Sequence, residues 1–141
     1  MSQDTVRAVS VRRTGPKRFV ATNARGVELP FGAGEEDFSP VELLLAALAG
    51  CTGLDVEALT SRRAEPESFE VTATADRVRD EAGNRLENVE VVFRVSFPAG
   101  SGGDAAREIL PTAVARSHER LCTVTRTLER ATPVRARIAE E

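Results

Sequence analysis

Two cysteines, Cys51 and Cys122, are the residues of this sequence best suited to covalent chemistry. A deprotonated cysteine attacks peroxides and disulfides, and two cysteines that meet can form a disulfide and be reduced again. No apolar stretch near the N-terminus has the pattern of a signal peptide, so we expect a cytoplasmic protein. Because the cytosol keeps thiols reduced, a structural disulfide is not expected. The cysteines are therefore either inert core residues or redox-active ones.

Cys51 lies between Gly50 and Gly53 inside a predicted helix. A glycine in a helix interior is about 1 kcal/mol less favourable than alanine. The two glycines therefore indicate either the close approach of another backbone or a path by which a substrate reaches the sulfur. A small buried cysteine at a tight helix crossing accounts for the same spacing, because free cysteine is among the most often buried residue types.

Cys122 lies where one predicted helix ends and another begins. A thiolate close to a helix N-terminus is stabilised by the helix dipole. His118, the single histidine of the sequence, precedes it by one turn on the same helical face and could hydrogen-bond the sulfur or accept its proton. A solvated histidine among charged neighbours is the simpler interpretation.

A long helix from Pro40 to about Thr60 is the strongest predicted element, and it carries Cys51. Ser39 as the N-cap and Glu42 three residues later form a capping box, and proline suits the first helical position. Residues 43–48 are apolar nearly all round, which predicts a buried central helix.

Strands are predicted on both sides of this helix. Three short ones precede it, at residues 5–12, 18–22 and 27–31, and an acidic loop follows them. Residues 69–78 and 89–97 alternate apolar and polar side chains, which predicts a hairpin with one wet face. We place its turn at the Gly-Asn pair of residues 83 and 84.

Helices dominate the last third of the chain. Asp104 is the predicted cap of a helical region that runs to about Cys122 and is kinked or divided by Pro111. A short helix follows to about Arg130, and residues 134–138 alternate as a closing edge strand would. The order of strands, helix, strands, helices and strand predicts an α+β fold, in a single domain over residues 1–141.

Composition excludes several classes of function. The net charge is −3, and acidic and basic residues are well mixed, so the basic stripe of a nucleic-acid binder and the polybasic patch of a membrane-surface protein are missing. The only aromatic residues are six phenylalanines. Such a thin core favours burial of further surface by oligomerisation.

Two segments resemble the motifs of a known family. Residues 39–52, with the letters SPVELLLAALAGCT, look like the central-helix signature of the OsmC/Ohr family of osmotically inducible and organic hydroperoxide resistance proteins, and residues 118–124, HERLCTV, look like its second cysteine motif. The match covers most of the chain, since the surrounding strands fall in the family's order. Its departures from the family's pattern at the assisting residues indicate a divergent OsmC-like branch.

The resemblance implies a thiol peroxidase. Cys51 would be the cysteine that attacks the peroxide and becomes a sulfenic acid, and Cys122 would resolve it as a disulfide that an external thiol or dithiol reduces. It also implies an intertwined homodimer with antiparallel sheets around the central helix, active sites at the subunit interface, and no metal or organic cofactor. The implied role is defence against oxidative stress.

The family's assisting residues are harder to match. An Arg in the N-terminal strands corresponds best to Arg18, although Lys17 or Arg25 could serve. The family's Glu directly follows the motif proline, where this chain has Val41; Glu42 is one residue later and about 100° further round the helix. We include Arg18 and Glu42 in the candidate catalytic set, while the capping box is a sufficient explanation of Glu42.

Asp55, one turn after Cys51 on the same face, would raise the pKa of the thiol unless the carboxylate is paired. A polar residue near an interface is the simpler interpretation of this position.

Two other functions compete with the peroxidase. The first is a non-enzymatic dimer that binds a small apolar ligand or senses oxidation, which the missing acid at Val41 slightly favours. The second is a thiolate metal site. Two cysteines and one histidine provide too few ligands for such a site, and the sequence has no C-x-x-C spacing.

Overall fold

The computed structural model describes residues 5–140, and the chain divides after Leu44 into two compact units. Helix α1 (Pro40–Thr60) begins in the first unit and continues in the second. The expectation of a single domain over residues 1–141 remains a prediction.

The first unit is a three-stranded antiparallel sheet. Its strands are β1 (Val9–Gly15), β2 (Arg18–Asn23) and β3 (Glu28–Gly32), in the order β1-β2-β3. Phe19 and Phe31 are paired across the sheet with their ring centroids 6.1 Å apart. The three predicted strands are confirmed, although β1 begins four residues later than the alternation indicated.

The capping box predicted at the start of α1 (Pro40–Thr60) is present. Ser39 N donates to Glu42 Oε1 at 2.9 Å, and Glu42 N donates to Ser39 Oγ at 3.2 Å. Two of the backbone N–H groups that a helix start leaves without intrahelical partners are satisfied in this way. The local sequence therefore determines where the helix begins.

Burial of α1 differs from the prediction. Only one face of the helix is buried, at Leu48, Thr52, Gly53, Val56 and Thr60. Leu54, on the opposite side, is 70% exposed, because nothing in the described part of the chain covers it. By length and composition α1 could cross a bilayer, a test that the core helix of a soluble protein also passes.

A long hairpin of β4 (Ser68–Asp80) and β5 (Gly83–Ser96) forms the sheet of the second unit. The predicted alternation is confirmed, since every second side chain of β4 from Phe69 to Ala75 is partly buried. The turn is not at residues 83 and 84 as predicted: Asp80 pairs with Gly83, so residues 81 and 82 form it. Both strands continue past their apolar segments, and polar residues form the remaining backbone pairs of the hairpin.

Helix α2 (Ser101–Arg116) follows the hairpin. Asp104 lies in its first turn and is not its cap; Gly100 is the N-cap residue, so the helix begins earlier than predicted. Pro111 is accommodated without dividing the helix. The chain then passes through a π-helical turn (Ser117–Leu121) into the short helix α3 (Thr123–Glu129), close to its predicted bounds.

The predicted closing strand is wrong for this chain. Residues 132–140 have no regular secondary structure, and Val134 and Ile138 are 91% and 97% exposed. Alternation alone does not make a strand, because a strand needs a neighbouring edge with which to exchange backbone hydrogen bonds. The mixed fold of antiparallel sheets and helices, with the long helix between the two sheets in the sequence, is confirmed.

Candidate functional site

The two cysteines meet in the second unit. Cys51 lies on α1 and Cys122 immediately precedes α3, and their Sγ atoms lie within 4.8 Å of one another and of a carboxylate oxygen of Asp55. A disulfide bond is about 2.05 Å long, so a modest movement would bring the sulfurs to bonding distance. The cysteines are 71 positions apart in the sequence, and the fold brings them together.

The start of α3 presents backbone N–H groups to both sulfurs. Cys122 is the N-cap, and its Sγ accepts a hydrogen bond from Thr125 N at 3.4 Å. The N–H groups of Val124 and Thr123 act on Cys51, where they favour the thiolate. Such donors stabilise negative charge on sulfur.

A π-helical turn sets the position of Cys122. Cys122 N donates to Ser117 O, five residues earlier, at 2.9 Å. A π-turn of this kind is rare and often occurs at functional sites. Because the chain turns into an extended conformation at Cys122, with φ −74° and ψ 105°, α3 begins anew and its first N–H groups remain available to the sulfurs.

Burial raises the pKa of the Cys51 thiol, and this is the largest single influence on it. The Val124 and Thr123 N–H groups lower the pKa, whereas the neighbouring Cys122 thiol raises it through a hydrogen bond and through charge repulsion. The net effect is a pKa above the ordinary value. The groups that act on this thiol in the described residues include no basic side chain.

Asp55 is held by a buried hydroxyl pair. Ser117 Oγ donates to Asp55 Oδ2 at 2.9 Å, and Ser117 Oγ and Thr52 Oγ1 are hydrogen-bonded at 2.7 Å. Ser117 is fully buried and Thr52 nearly so. Asp55 therefore has a hydrogen-bond partner, but this neutral hydroxyl does not compensate the charge of the carboxylate. Asp55 is not among the groups that shift the pKa of Cys51.

The two cysteines differ in exposure. Cys122 is completely buried, whereas Cys51 is partly exposed. Of the two glycines beside Cys51, Gly53 faces the hairpin, where an added Cβ would lie 3.3 Å from a methyl group of Val71. An added Cβ at Gly50 would meet no atom within 4 Å. Close packing thus explains Gly53, but crowding does not explain Gly50.

Arg18 and Glu42 lie in the first unit, where each has a partner of its own. Arg18 Nη2 forms an ion pair with Asp37 Oδ1 at 3.2 Å, and its side chain is 64% exposed. Glu42 forms the capping box with Ser39. The structure thus brings Cys51 and Cys122 together and gives Glu42 a structural task; the catalytic roles of Arg18 and Glu42 remain predictions.

The partner of His118 is Glu129 and not the sulfur of Cys122. Its Nε2 lies 3.4 Å from Glu129 Oε2, and its side chain is 61% exposed, in agreement with the simpler interpretation of this histidine. Sequence reasoning missed Thr52 and Ser117 altogether. Small hydroxyl residues within helices carry no signal of a shared hydrogen bond when they are 65 positions apart in the sequence.

Comparison with known proteins identifies the class. The model of a protein family described as "OsmC-like protein" matches residues 32–137, so the chain belongs to the OsmC-like family. An uncharacterised protein of Mycobacterium tuberculosis is 28% identical over 132 residues, which cover 92% of this chain and 94% of that protein.

Solved structures show the same fold. An OsmC-like protein of unknown function from Vibrio cholerae superposes with a TM-score of 0.73 at 16% identity, over 89% of this chain and 94% of that one. The organic hydroperoxide resistance protein OhrB of Bacillus subtilis superposes with a TM-score of 0.53 at 21% identity, over 86% and 90%. Identities this low speak for the fold alone.

Proposed function

We propose that this protein is a thiol-dependent peroxidase that reduces organic hydroperoxides through a cycle of two cysteines, as part of a defence against oxidative stress. The observation that carries the proposal is the placement of the Cys51 and Cys122 sulfurs within 4.8 Å of one another. Membership of the OsmC-like family supports it, and so does the name of the Bacillus subtilis relative of the same fold.

Cys51 is the attacking residue in this proposal, because it is partly exposed while Cys122 is fully buried. The Cys51 thiolate attacks the terminal oxygen of the hydroperoxide, and the O–O bond breaks. The sulfur is oxidised to sulfenic acid, and the peroxide is reduced to an alcohol that takes up a proton from solvent. N–H groups of Thr123 and Val124 stabilise the thiolate before the attack.

Cys122 then resolves the intermediate. Its thiolate attacks the Cys51 sulfur, an S–S bond forms, the S–O bond breaks, and the hydroxyl leaves as water with the proton of the Cys122 thiol. An external thiol or dithiol reduces the disulfide and returns two electrons to the pair. The cycle needs no metal and no organic cofactor.

The remaining roles rest on the resemblance. We assign Arg18 to orient the peroxide, for which it would exchange its exposed ion pair with Asp37. We assign Glu42 to the helix cap in preference to catalysis. We further propose that the protein is cytoplasmic. We also propose that it is a homodimer, because α1 leaves an apolar face exposed at Leu54 and beside Gly50.

Mass spectrometry after one equivalent of cumene hydroperoxide tests the cycle. Wild type should lose two hydrogen atoms as an intramolecular disulfide. Cys122→Ser should gain one oxygen at Cys51, and Cys51→Ser should remain unmodified, because serine is not ionised near neutral pH. If Cys51→Ser gains the oxygen at Cys122, the roles are reversed. If wild type remains unmodified at excess peroxide, the peroxidase proposal fails.

A second candidate function is the binding of a small apolar ligand. A cavity of about 270 Å³ is lined mainly by apolar side chains from α1, β5 and α3, including Leu48, Val91 and Leu128, with the His118–Glu129 pair among its lining residues. An apolar pocket with one polar pair is typical of small-molecule sites. Saturable binding of an apolar fluorescent probe, lost in Val91→Glu and unaffected by oxidation of the cysteines, would favour this function.

A further inference from the structure

We propose that the reduced protein binds one soft divalent metal ion of the zinc class through the Sγ atoms of Cys51 and Cys122 and a carboxylate oxygen of Asp55. This inference goes beyond the peroxidase cycle and does not depend on it. It corrects the count of ligands made from the sequence, which considered two cysteines and one histidine and omitted the aspartate. The spacing of four residues between Cys51 and Asp55 is the signal for the third ligand.

The geometry fits a tetrahedral ion. The three ligand atoms lie within 4.8 Å of one another. With zinc–sulfur bonds of about 2.3 Å, two sulfurs of a tetrahedral site are about 3.8 Å apart, and a sulfur and an oxygen are slightly closer. A contraction of at most about 1.3 Å would therefore bring all three atoms to one ion.

Two of the three ligands, Asp55 and Cys122, have a second hydrogen-bond partner that orients them. Ser117 Oγ donates to Asp55 Oδ2 and is itself hydrogen-bonded to Thr52. Thr125 N donates to Cys122 Sγ, and the N–H groups of Val124 and Thr123 act on Cys51. Such outer hydrogen bonds accompany protein metal sites and contribute about 10–100-fold to their affinity.

The charges also favour a cation. The donors that stabilise Asp55 and Cys122 are a neutral hydroxyl and a neutral backbone N–H. Two thiolates and a carboxylate would place three negative charges together, and a divalent ion neutralises two of them. Binding releases the two thiol protons. Sulfur ligands select zinc-like ions over magnesium and calcium, and three protein ligands leave a fourth position for water.

Metal binding and disulfide formation exclude each other, because both use the same sulfur electron pairs. An occupied site should shield the thiolates from peroxide, and oxidation should release the ion. The metal would therefore hold the protein in a protected reduced state until an oxidant or a competing ligand removes it.

Titration of the reduced, metal-free protein with Co²⁺, followed by displacement with Zn²⁺, tests the site. We expect one equivalent of Co²⁺ to produce a thiolate-to-metal charge-transfer band and the intense visible bands of a tetrahedral ion. Zn²⁺ should abolish both. The disulfide form should produce neither band. Absence of the charge-transfer band from reduced wild type at millimolar Co²⁺ would overturn the proposal.

Variants identify the ligands. Cys51→Ser and Cys122→Ser should each weaken the charge-transfer band, and Asp55→Asn should lower affinity by about tenfold or more. Glu57→Gln, which removes a carboxylate from the same helix outside the site, should bind as wild type does. Circular dichroism confirms that each variant is folded, and Asp55→Ala provides a second test if Asp55→Asn is not. Unchanged affinity in the folded aspartate variants would refute the ligand set.

Discussion

Ser117 Oγ donates a hydrogen bond of 2.9 Å to Asp55 Oδ2, which ties the π-helical turn to α1 across 62 residues of sequence. The same hydroxyl is hydrogen-bonded to Thr52, so one fully buried side chain connects two polar residues of α1 to the segment that ends at Cys122. The position of Cys122 relative to Cys51 therefore depends on a residue that is not itself reactive.

Replacement of Ser117 should destabilise the protein. Ser117→Ala removes the partner of the nearly buried Thr52 hydroxyl and of Asp55, and a buried polar group without a partner costs about 1–3 kcal/mol in the free energy of unfolding. Urea denaturation of the reduced protein measures this change. Ser96→Ala is the matched control: its hydroxyl bonds to Ser68 at 2.7 Å on the exposed edge of the hairpin, and its loss should cost less than about 0.5 kcal/mol. Equal effects of the two variants would contradict the importance of the buried network.

Glu42 should matter for stability more than for turnover. Glu42→Ala opens one half of the capping box with Ser39 and should lower the free energy of unfolding by about 0.5–2 kcal/mol, by analogy with other cap losses. Peroxide consumption per folded molecule should change little. Glu42→Gln is the control, because glutamine also closes a capping box and should retain most of the stability. A large loss of turnover with unchanged melting would instead place Glu42 in catalysis.

Local signals in the sequence determine how much of this structure can be predicted. The capping box at Ser39 locates the start of α1 within one residue, because it depends on four adjacent residues. The hairpin follows from its alternation. Residues 134–138 also alternate but form no strand. Strand pairing depends on a neighbouring edge, which no local pattern specifies.

The candidate site also has parts that the sequence can predict and parts that it cannot. The two cysteines are conspicuous by residue type, and the resemblance brings them together. The network of Thr52, Ser117 and Asp55 is a product of packing between α1 and the π-helical turn. The sequence also could not predict that only one face of α1 is buried. When apolar residues occur all round a helix, the pattern does not show which of them the rest of the chain covers.

The reactivity of Cys51 should increase with pH. Its pKa lies above the ordinary value, mainly because of burial, so the thiolate fraction is small at neutral pH and grows as pH rises through the raised pKa. In the metal-free reduced protein, iodoacetamide alkylation of the Cys51 peptide should therefore still accelerate above about pH 8.5, where a free cysteine is half ionised. A midpoint below that of a free cysteine would contradict the raised pKa.

Removal of the neighbouring thiol should shift this profile. Cys122→Ala takes away the hydrogen bond and the charge repulsion by which Cys122 raises the pKa of Cys51, while the N–H groups of Val124 and Thr123 still lower it. The alkylation midpoint should move to lower pH. Cys122→Ser retains a hydroxyl that can hydrogen-bond the thiol and should produce a smaller shift. Identical profiles for wild type and Cys122→Ala would show that the two thiols do not interact in solution.

Leu54 should lie in the interface of the proposed homodimer. Its side chain is 70% exposed in the single chain and borders a groove of about 440 Å³ that Ala46, Ala49 and Gly50 also line. A second copy would remove this apolar surface from water, whereas a charged side chain there would be buried without a partner. Sedimentation equilibrium at micromolar concentration should show a dimer for wild type and a folded monomer for Leu54→Glu. Leu121→Glu, an exposed leucine outside the groove, should leave the dimer intact. A monomeric wild type, or a dimer that tolerates Leu54→Glu, would remove this face of α1 from the assembly.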